Sequence, residues 1–139
     1  MNIPQRQRPP ETRTAITHRF CIADQEGYIT VGLYEDGRPC ELFITMSKAD
    51  STVGGLLDTL GIVVSVAFQY GVPLEALVKT TAHQRFEPSG FTAYRDLRSV
   101  PSITAYVFRW MTLQFGVQAP QAPVTNNRIS SPTEGGDGS

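Results

Sequence analysis

The chain has 139 residues, with 12 Lys or Arg against 13 Asp or Glu and a formal net charge of −1. A chain of this length fits one domain with one hydrophobic core. The balanced charge argues against direct binding of nucleic acid or of an anionic membrane, and a protein partner or a neutral surface fits better.

Cysteine usage and hydropathy bear on the compartment. The two cysteines have neither CxxC spacing nor a companion histidine pattern, so they support no disulfide framework and no zinc site. The longest apolar-rich stretch, residues 56–68, is interrupted by polar residues, and the first residues hold no apolar core for a signal peptide. We therefore expect a soluble, cytoplasmic protein with reduced thiols and no membrane segment.

Composition divides the chain into three parts. Residues 1–13 contain three prolines and three arginines with almost nothing apolar, and residues 117–139 are rich in Pro, Gly, Ser, Asn and Thr. Such segments bury too little apolar surface to fold, so both are predicted to be disordered. Residues 14–116 are predicted to form the single domain.

Three segments alternate apolar and polar residues with the period of two that is typical of strands. They are residues 16–22, 28–34 and 40–46. The connections between them, DQEG and EDGRP, are short, and the second contains an Asp-Gly pair that suits a tight hairpin turn. The sequence therefore predicts a three-stranded antiparallel meander.

The period then becomes helical. Apolar residues recur at spacings of three and four across residues 53–68, with Asp50 or Ser51 placed to cap the start. We expect this helix to be the main support of the core. Ile62 and Val66 lie off its main apolar stripe, so the helix is expected to pack on the sheet and on a second helix at once.

Two prolines mark the starts of two further helices, because proline suits the first helical turn. Pro73 precedes a short helix over residues 74–83, and Pro101 begins a helix that runs to about Phe115. The predicted fold is α+β in the order βββααα, a three-stranded antiparallel meander followed by three helices packed on one face, with disordered termini.

His18 lies on the first strand and His83 ends the short helix, and neither has a nucleophile beside it in a recognised catalytic spacing. Both are interpreted as structural or surface histidines. Cys21 and Cys40 would form a redox pair only if the first and third strands were neighbours, and in a meander the second strand separates them.

Five stretches of the sequence carry a family resemblance. In chain order they are EGYITVGLYEDGRP, ELFITMSK, SVAFQYGVPLEALV, RFEPSGFT and FRWM. Together they resemble the C-terminal region of the adenosylcobalamin-dependent (class II) ribonucleotide reductases, and the resemblance covers residues 13–115. That region belongs to a broader domain type named after a TSCPD motif, so residues 14–116 are interpreted as a TSCPD-like domain.

The chain departs from this family at the motif itself. Residues 98–102 read RSVPS, with valine where the motif has cysteine and serine where it has aspartate. A thiolate-metal or redox role at this position is therefore excluded. Proline remains, and its fixed φ and missing N–H suit a helix start.

The resemblance implies a role beside a larger protein. In the full reductases a large barrel binds cobalamin and nucleotide, and a terminal cysteine pair re-reduces the active site. This chain is too short for the barrel and has no cysteine after Val117. It is therefore expected to be a separately encoded accessory component of a vitamin B12-dependent ribonucleoside-diphosphate reductase, supporting deoxyribonucleotide synthesis for DNA replication. It would bind no cofactor or metal and would not be catalytic alone; the larger catalytic chain, its expected partner, would hold the adenosylcobalamin.

A stand-alone nucleotide-binding regulatory module is one alternative. A helix N-terminus exposes free N–H groups, and nearby cationic or hydroxyl side chains can add contacts to a phosphate. The residues so placed are Lys48, Ser51, Thr52, Gly54 and Gly55. The competing interpretation is a capped helix whose glycines let it approach the sheet closely.

The loop RFEPSG, residues 85–90, is predicted to be a docking loop. Pro88 and Gly90 fix a turn, Phe86 and Phe91 can pin it to the core, and Arg85 and Glu87 remain available for a partner.

On the last helix, Phe108 and Arg109 point away from the apolar side and are further candidates for an interface. A non-catalytic domain that oligomerises with itself is the third functional hypothesis.

Overall fold

The computed structural model describes residues 5–116. The predicted disorder of residues 117–139 lies outside the described residues. The elements are β1 (Ala15–Ile22), β2 (Gln25–Leu33), β3 (Pro39–Met46), α1 (Ser51–Gln69), α2 (Leu74–Thr81), β4 (Gly90–Phe91), a 3₁₀ turn (Arg95–Leu97), β5 (Ser99–Val100) and α3 (Ile103–Phe115). The predicted α+β class is confirmed, with the short strands β4 and β5 added between the second and third helices.

The three long strands form an antiparallel sheet in sequence order, as predicted. His18 pairs with Ile29, and Ile29 pairs with Ile44, so side chains alternate in phase across the sheet. The inward-facing set is at most 2% exposed and comprises Phe20, Ile22, Ile29, Val31, Leu42 and Ile44. This face forms one wall of the core.

The main helix of the core is α3. Seven of its 13 residues are buried, and the bulkiest of them are Tyr106, Phe108, Trp110 and Met111. In α1 only six of 19 residues are buried, and three of these are the small or polar residues Gly61, Ser65 and Gln69. The expectation that α1 is the main support of the core is wrong, because periodicity identifies an apolar stripe but not the surface that the stripe contacts.

Along β3, the outer strand of the sheet, α1 supplies partners for the free edge. Ser65 Oγ accepts a hydrogen bond from the backbone N–H of Leu42 at 2.9 Å, and Gln69 Nε2 donates to the carbonyl of Cys40 at 2.9 Å. Gly61 permits this close approach, since a Cβ there would lie 2.7 Å from the carbonyl oxygen of Leu42. Edge groups that would otherwise stay unpaired are thereby satisfied.

The opposite side of α1 is exposed. Leu56 is 65% exposed and Ile62 63% exposed. The expectation that Ile62 packs on a second helix is wrong, because α2 packs on α3 instead. We define the α1 apolar face as Leu56, Ile62, Val63, Val66 and Tyr70.

Residues 5–13 form an arm that lies against the domain. The backbone N–H of Gln7 donates to the carbonyl of Gln69 at 2.8 Å, and Arg6 Nε donates to Gln69 Oε1 at 2.7 Å. The Tyr34 hydroxyl donates to the carbonyl of Gln7. The predicted disorder of residues 1–13 is therefore wrong for residues 5–13, because backbone groups and polar side chains hold a segment that has little apolar surface to bury.

Helix starts depend on side-chain caps. Asp50 Oδ1 accepts a hydrogen bond from the N–H of Val53 at 2.9 Å, so Asp50 is the cap of α1 rather than Ser51. Ser102 Oγ accepts from the N–H of Ala105 at 3.1 Å, so α3 begins after the predicted Pro101.

Candidate functional site

The docking loop and the RSVPS segment, far apart in sequence, lie together. In the β4–β5 ladder Gly90 pairs with Val100 and Phe91 with Ser99. The backbone N–H of Phe86 also donates to the carbonyl of Pro101 at 3.0 Å. The loop is therefore held against the start of α3.

A cleft of about 520 Å³ opens between this loop, the end of α2 and the side of α3. Its lining residues are His83, Arg85, Ser89, Gly90, Ser99, Val100, Pro101 and Arg109. These described residues include two arginines, one histidine and two hydroxyl groups, and none of them carries a carboxylate. The cleft is thus suited to an anionic group. We refer to it as the basic cleft.

Arg109 is held in place at the cleft wall. Its Nε and Nη2 donate to the carbonyl of Ala82 at 3.1 and 2.7 Å, and Nη2 lies 3.5 Å from His83 Nδ1. Ala82 is the C-cap of α2, where unpaired carbonyls and the helix dipole favour a cation. The guanidinium is therefore oriented by the fold.

The predicted docking residues divide into two groups. Arg85, Phe86 and Glu87 are exposed, and within residues 5–116 neither Arg85 nor Glu87 forms an ion pair. Phe108 is only 1% exposed, so its assignment to an interface is wrong. Phe91 is 80% exposed and does not pin the loop to the core. Periodicity alone cannot assign each aromatic residue of a helix to a buried or an exposed side without knowledge of the neighbouring elements.

Three residues with polar side chains in the basic cleft were not predicted as site residues: His83, Ser89 and Ser99. Two of them lie in stretches that the sequence already singled out, since Ser89 is in RFEPSG and Ser99 in RSVPS. The missing information was the pairing of β4 with β5, which joins the two stretches.

The predicted phosphate-binding residues lie elsewhere, at the start of α1. Lys48 lines a second cleft, of about 370 Å³, together with the carboxylates Asp24, Asp50 and Glu87. Asp50 already occupies the N–H of Val53 there. Three carboxylates beside one lysine disfavour a phosphate, although the assignment stays a prediction.

The two glycines of that prediction, Gly54 and Gly55, face open space, since a Cβ on either would meet nothing within 4 Å. The close contact with the sheet is made at Gly61 instead.

The α1 apolar face lies at the surface of this helix, with Leu56, Ile62, Val63 and Tyr70 exposed. Asp58 is the one charged residue within residues 51–69, so the face has almost no charge. By length and composition alone, α1 is the one helix of residues 5–116 that could also cross a membrane. Core helices of soluble proteins meet the same criterion, and α1 is hydrogen-bonded to β3 along its inner side.

His18 belongs to an aromatic cluster of the core. Its Nε2 lies 2.8 Å from the Tyr106 hydroxyl, and its ring stacks on Trp110 with centroids 4.8 Å apart. Tyr94 meets the same ring edge-on at 4.9 Å. Burial lowers the pKa of His18 and raises that of Tyr106, so both groups are neutral at neutral pH.

The two cysteines lie on separate strands, with β2 between them. Cys21 pairs with Glu26 near one end of the sheet, whereas Cys40 follows Pro39, which pairs with Leu33 at the other end. Both thiols are free, and burial raises the pKa of the Cys40 thiol. In residues 5–116 no group of three or more His, Cys, Asp or Glu side chains could hold a metal ion.

Comparisons with known proteins identify the family of the chain. The model of the TSCPD domain family matches residues 2–115. The chain therefore belongs to the TSCPD domain family. The match includes the arm that the sequence had placed outside the domain.

Among curated proteins, the chain is 52% identical over 112 residues to the vitamin B12-dependent ribonucleotide reductase of Rhodopirellula baltica, covering 81% of this chain and 11% of that protein. It is 45% identical to the protein of the same name from Streptantibioticus cattleyicolor, and the match covers 81% of this chain and 19% of that protein. The Bradyrhizobium diazoefficiens protein of that name is 33% identical, and the match covers 80% of this chain and 9% of that protein. The resemblance to this enzyme family is confirmed, and the chain spans at most about a fifth of these relatives. No solved structure gives a significant match.

Proposed function

We propose that this chain is an accessory TSCPD component of a vitamin B12-dependent ribonucleotide reductase, which assists a larger catalytic chain in making deoxyribonucleotides for DNA replication. The observation that carries the proposal is the 52% identity to one such enzyme over a region that makes up 11% of it. This chain is similar to a small part of the relative, and a part of that size fits a supporting role beside the rest of the enzyme.

The chemistry of the described residues fits the same division of labour. Adenosylcobalamin is larger than the drug-sized ligands that clefts of about 300–1,000 Å³ enclose, and the basic cleft, of about 520 Å³, does not fit it. The proposal therefore assigns the cofactor to the catalytic chain. This chain would contribute contact surface.

The α1 apolar face is the surface that we assign to the catalytic chain. Exposed apolar side chains grouped on one helix face are typical of protein interfaces, and the lack of charge suits an apolar partner surface. The docking loop lies next to the start of the same helix, because Glu87 and Pro88 line one cleft together with Val53.

A second copy of this chain fits the face less well. A 19-residue helix is about 28 Å long and about 10 Å wide, so α1 pairing with itself would cover much less than the roughly 800 Å² per partner of a stable complex. A larger chain can enclose the helix and contact the docking loop at the same time.

The test is binding of this chain to the catalytic chain of a vitamin B12-dependent ribonucleotide reductase from the same genome. We expect Val63→Glu to weaken binding at least about tenfold, because it places a charge in an apolar contact. Thr45→Glu is the matched control, since it adds the same charge on the exposed outer side of the sheet. Binding would be measured by calorimetry, and nucleotide reduction with and without this chain would be compared.

Three outcomes would contradict the proposal: no binding to the catalytic chain, equal effects of the two variants, or full reductase activity without this chain. A concentration-dependent dimer that Val63→Glu dissociates would favour the oligomerising alternative. Charge reversal of the loop by Glu87→Lys tests the second contact in the same assay.

A further inference from the structure

The two arginines of the basic cleft differ in what they contact within the fold. Arg109 is engaged by the carbonyl of Ala82, but Arg85 has no ion-pair partner among residues 5–116. The ion pairs that the described chain does form, Arg13–Glu41, Arg19–Glu26 and Arg38–Asp36, involve none of the cleft residues. Arg85 is therefore the cation of the cleft that is available to a ligand.

We propose that the basic cleft binds a phosphate-type oxyanion, the pyrophosphate or polyphosphate group of a small molecule. The Arg85 guanidinium can donate two parallel hydrogen bonds to such oxygens, and the Ser99 hydroxyl adds a further donor. The Ser89 hydroxyl already donates to Glu87 Oε2 at 3.2 Å. Gly90 contributes no side chain to the wall, which leaves room beside the backbone. The volume of about 520 Å³ is within the range of small-molecule sites and exceeds what one phosphate needs.

The cleft wall is already in place for this ligand. The β4–β5 pairing and the hydrogen bond from Phe86 to Pro101 position the loop, and the Ala82 carbonyl orients Arg109. A preorganised site loses less conformational entropy on binding. Binding is thus expected without refolding of the loop.

Charge distinguishes this cleft from the predicted site at Lys48. The Lys48 cleft is lined by three carboxylates and one lysine, whereas the basic cleft is lined by two arginines and no carboxylate, with Glu87 bound to Ser89 beside it. A phosphate with two or more charges would be repelled at the first and attracted at the second. The anion site is therefore placed at the loop rather than at the start of α1.

The experiment is calorimetric titration of the full chain with pyrophosphate. We expect saturable binding that Arg85→Gln weakens about tenfold or more, since a charge-assisted pair of hydrogen bonds is lost. Ser99→Ala should weaken it less. Arg85 is exposed and unpaired, so the variant should fold normally, and its melting temperature checks this.

Two variants serve as matched controls. Arg95→Gln removes an exposed arginine outside the cleft, and Lys48→Gln removes the cation of the other candidate site. Neither should change the affinity for pyrophosphate. Parallel titrations with ADP and orthophosphate separate the sources of the phosphate: equal affinity for ADP and pyrophosphate means that only the phosphates are recognised, and tighter binding of ADP means that the organic part is also contacted.

The proposal is overturned if pyrophosphate does not bind saturably, if Arg85→Gln leaves its affinity unchanged, or if Lys48→Gln abolishes binding. Binding of an acidic peptide in place of pyrophosphate, with the same dependence on Arg85, would overturn it in favour of a peptide site. The inference does not rest on the accessory role. If the protein binds pyrophosphate but does not bind the catalytic chain, the anion site holds and the accessory role fails.

Discussion

At the scale of single residues, burial decides which polar groups serve the fold and which remain free for a partner. His18 and Ser65 have hydrogen-bond partners within the core region, whereas Arg85 and Glu87 are exposed and have no ion-pair partner in the described chain. His18 could be interpreted from the sequence as structural, because no nucleophile accompanies it. Its three aromatic neighbours could not be predicted from the sequence, since two come from α3 and one from the segment before the 3₁₀ turn.

His18 predicts a pH dependence of stability. Burial lowers its pKa in the folded state below the ordinary value of 6.5, so as pH falls below about 6.5 the unfolded chain binds the proton first. The free energy of unfolding is therefore expected to decrease below that pH and to be insensitive to His18 above it. Urea denaturation measures how the free energy of unfolding changes with pH. The range of roughly pH 5 to 8 is chosen because it brackets the ordinary histidine pKa.

His18→Gln keeps a polar partner for the Tyr106 hydroxyl but does not titrate, so it should flatten this dependence. His83→Gln is the control, because it removes the exposed histidine at the end of α2 and keeps His18. A slope that survives in His18→Gln would assign the pH dependence to another group.

At the scale of elements, the join between α1 and β3 depends on one hydroxyl. Ser65 accepts from the Leu42 N–H and donates to the Gly61 carbonyl at 2.7 Å. Sequence periodicity predicts the helix and the strand, but the polar residue Ser65 interrupts the apolar pattern and gives no sign of its role. Only the close approach of the two backbones shows why a serine is placed there.

Ser65→Ala is expected to lower the free energy of unfolding by about 1–3 kcal/mol, because the buried Leu42 N–H loses its partner. Ser51→Ala, at the exposed start of the same helix, is the matched control and should have little effect since Asp50 provides the cap. Chemical denaturation measures both. Equal stability of the two variants would show that water or a shifted backbone replaces the lost bond.

At the scale of the whole molecule, the arm of residues 5–13 closes the domain at the end of α1. Besides the bonds of Gln7 to Gln69 and Tyr34, the arm ends in an ion pair between Arg13 and Glu41. Composition alone predicted disorder for this segment. The physical reason for the difference is that long-range polar contacts, rather than apolar burial, hold it.

Removal of residues 1–11 is expected to destabilise the domain by roughly 1–3 kcal/mol, since several hydrogen bonds are lost and the buried Tyr34 hydroxyl loses its acceptor. Thermal unfolding measures the change. Arg8→Gln, an exposed substitution within the arm, should leave the melting temperature nearly unchanged. An unaltered melting temperature after the truncation would mean that the arm does not stabilise the fold.

The sequence by itself determined the three strands, their meander order and the approximate bounds of the helices, because hydrophobic periodicity, turn residues and caps act within a few residues of each other. It also indicated the enzyme family through its motifs. Tertiary structure decided which side of α1 contacts the sheet, that Phe108 is buried, and that Arg85 and Ser99 line one cleft. These features depend on contacts between residues distant in the chain, and local patterns contain no information about which distant surfaces meet.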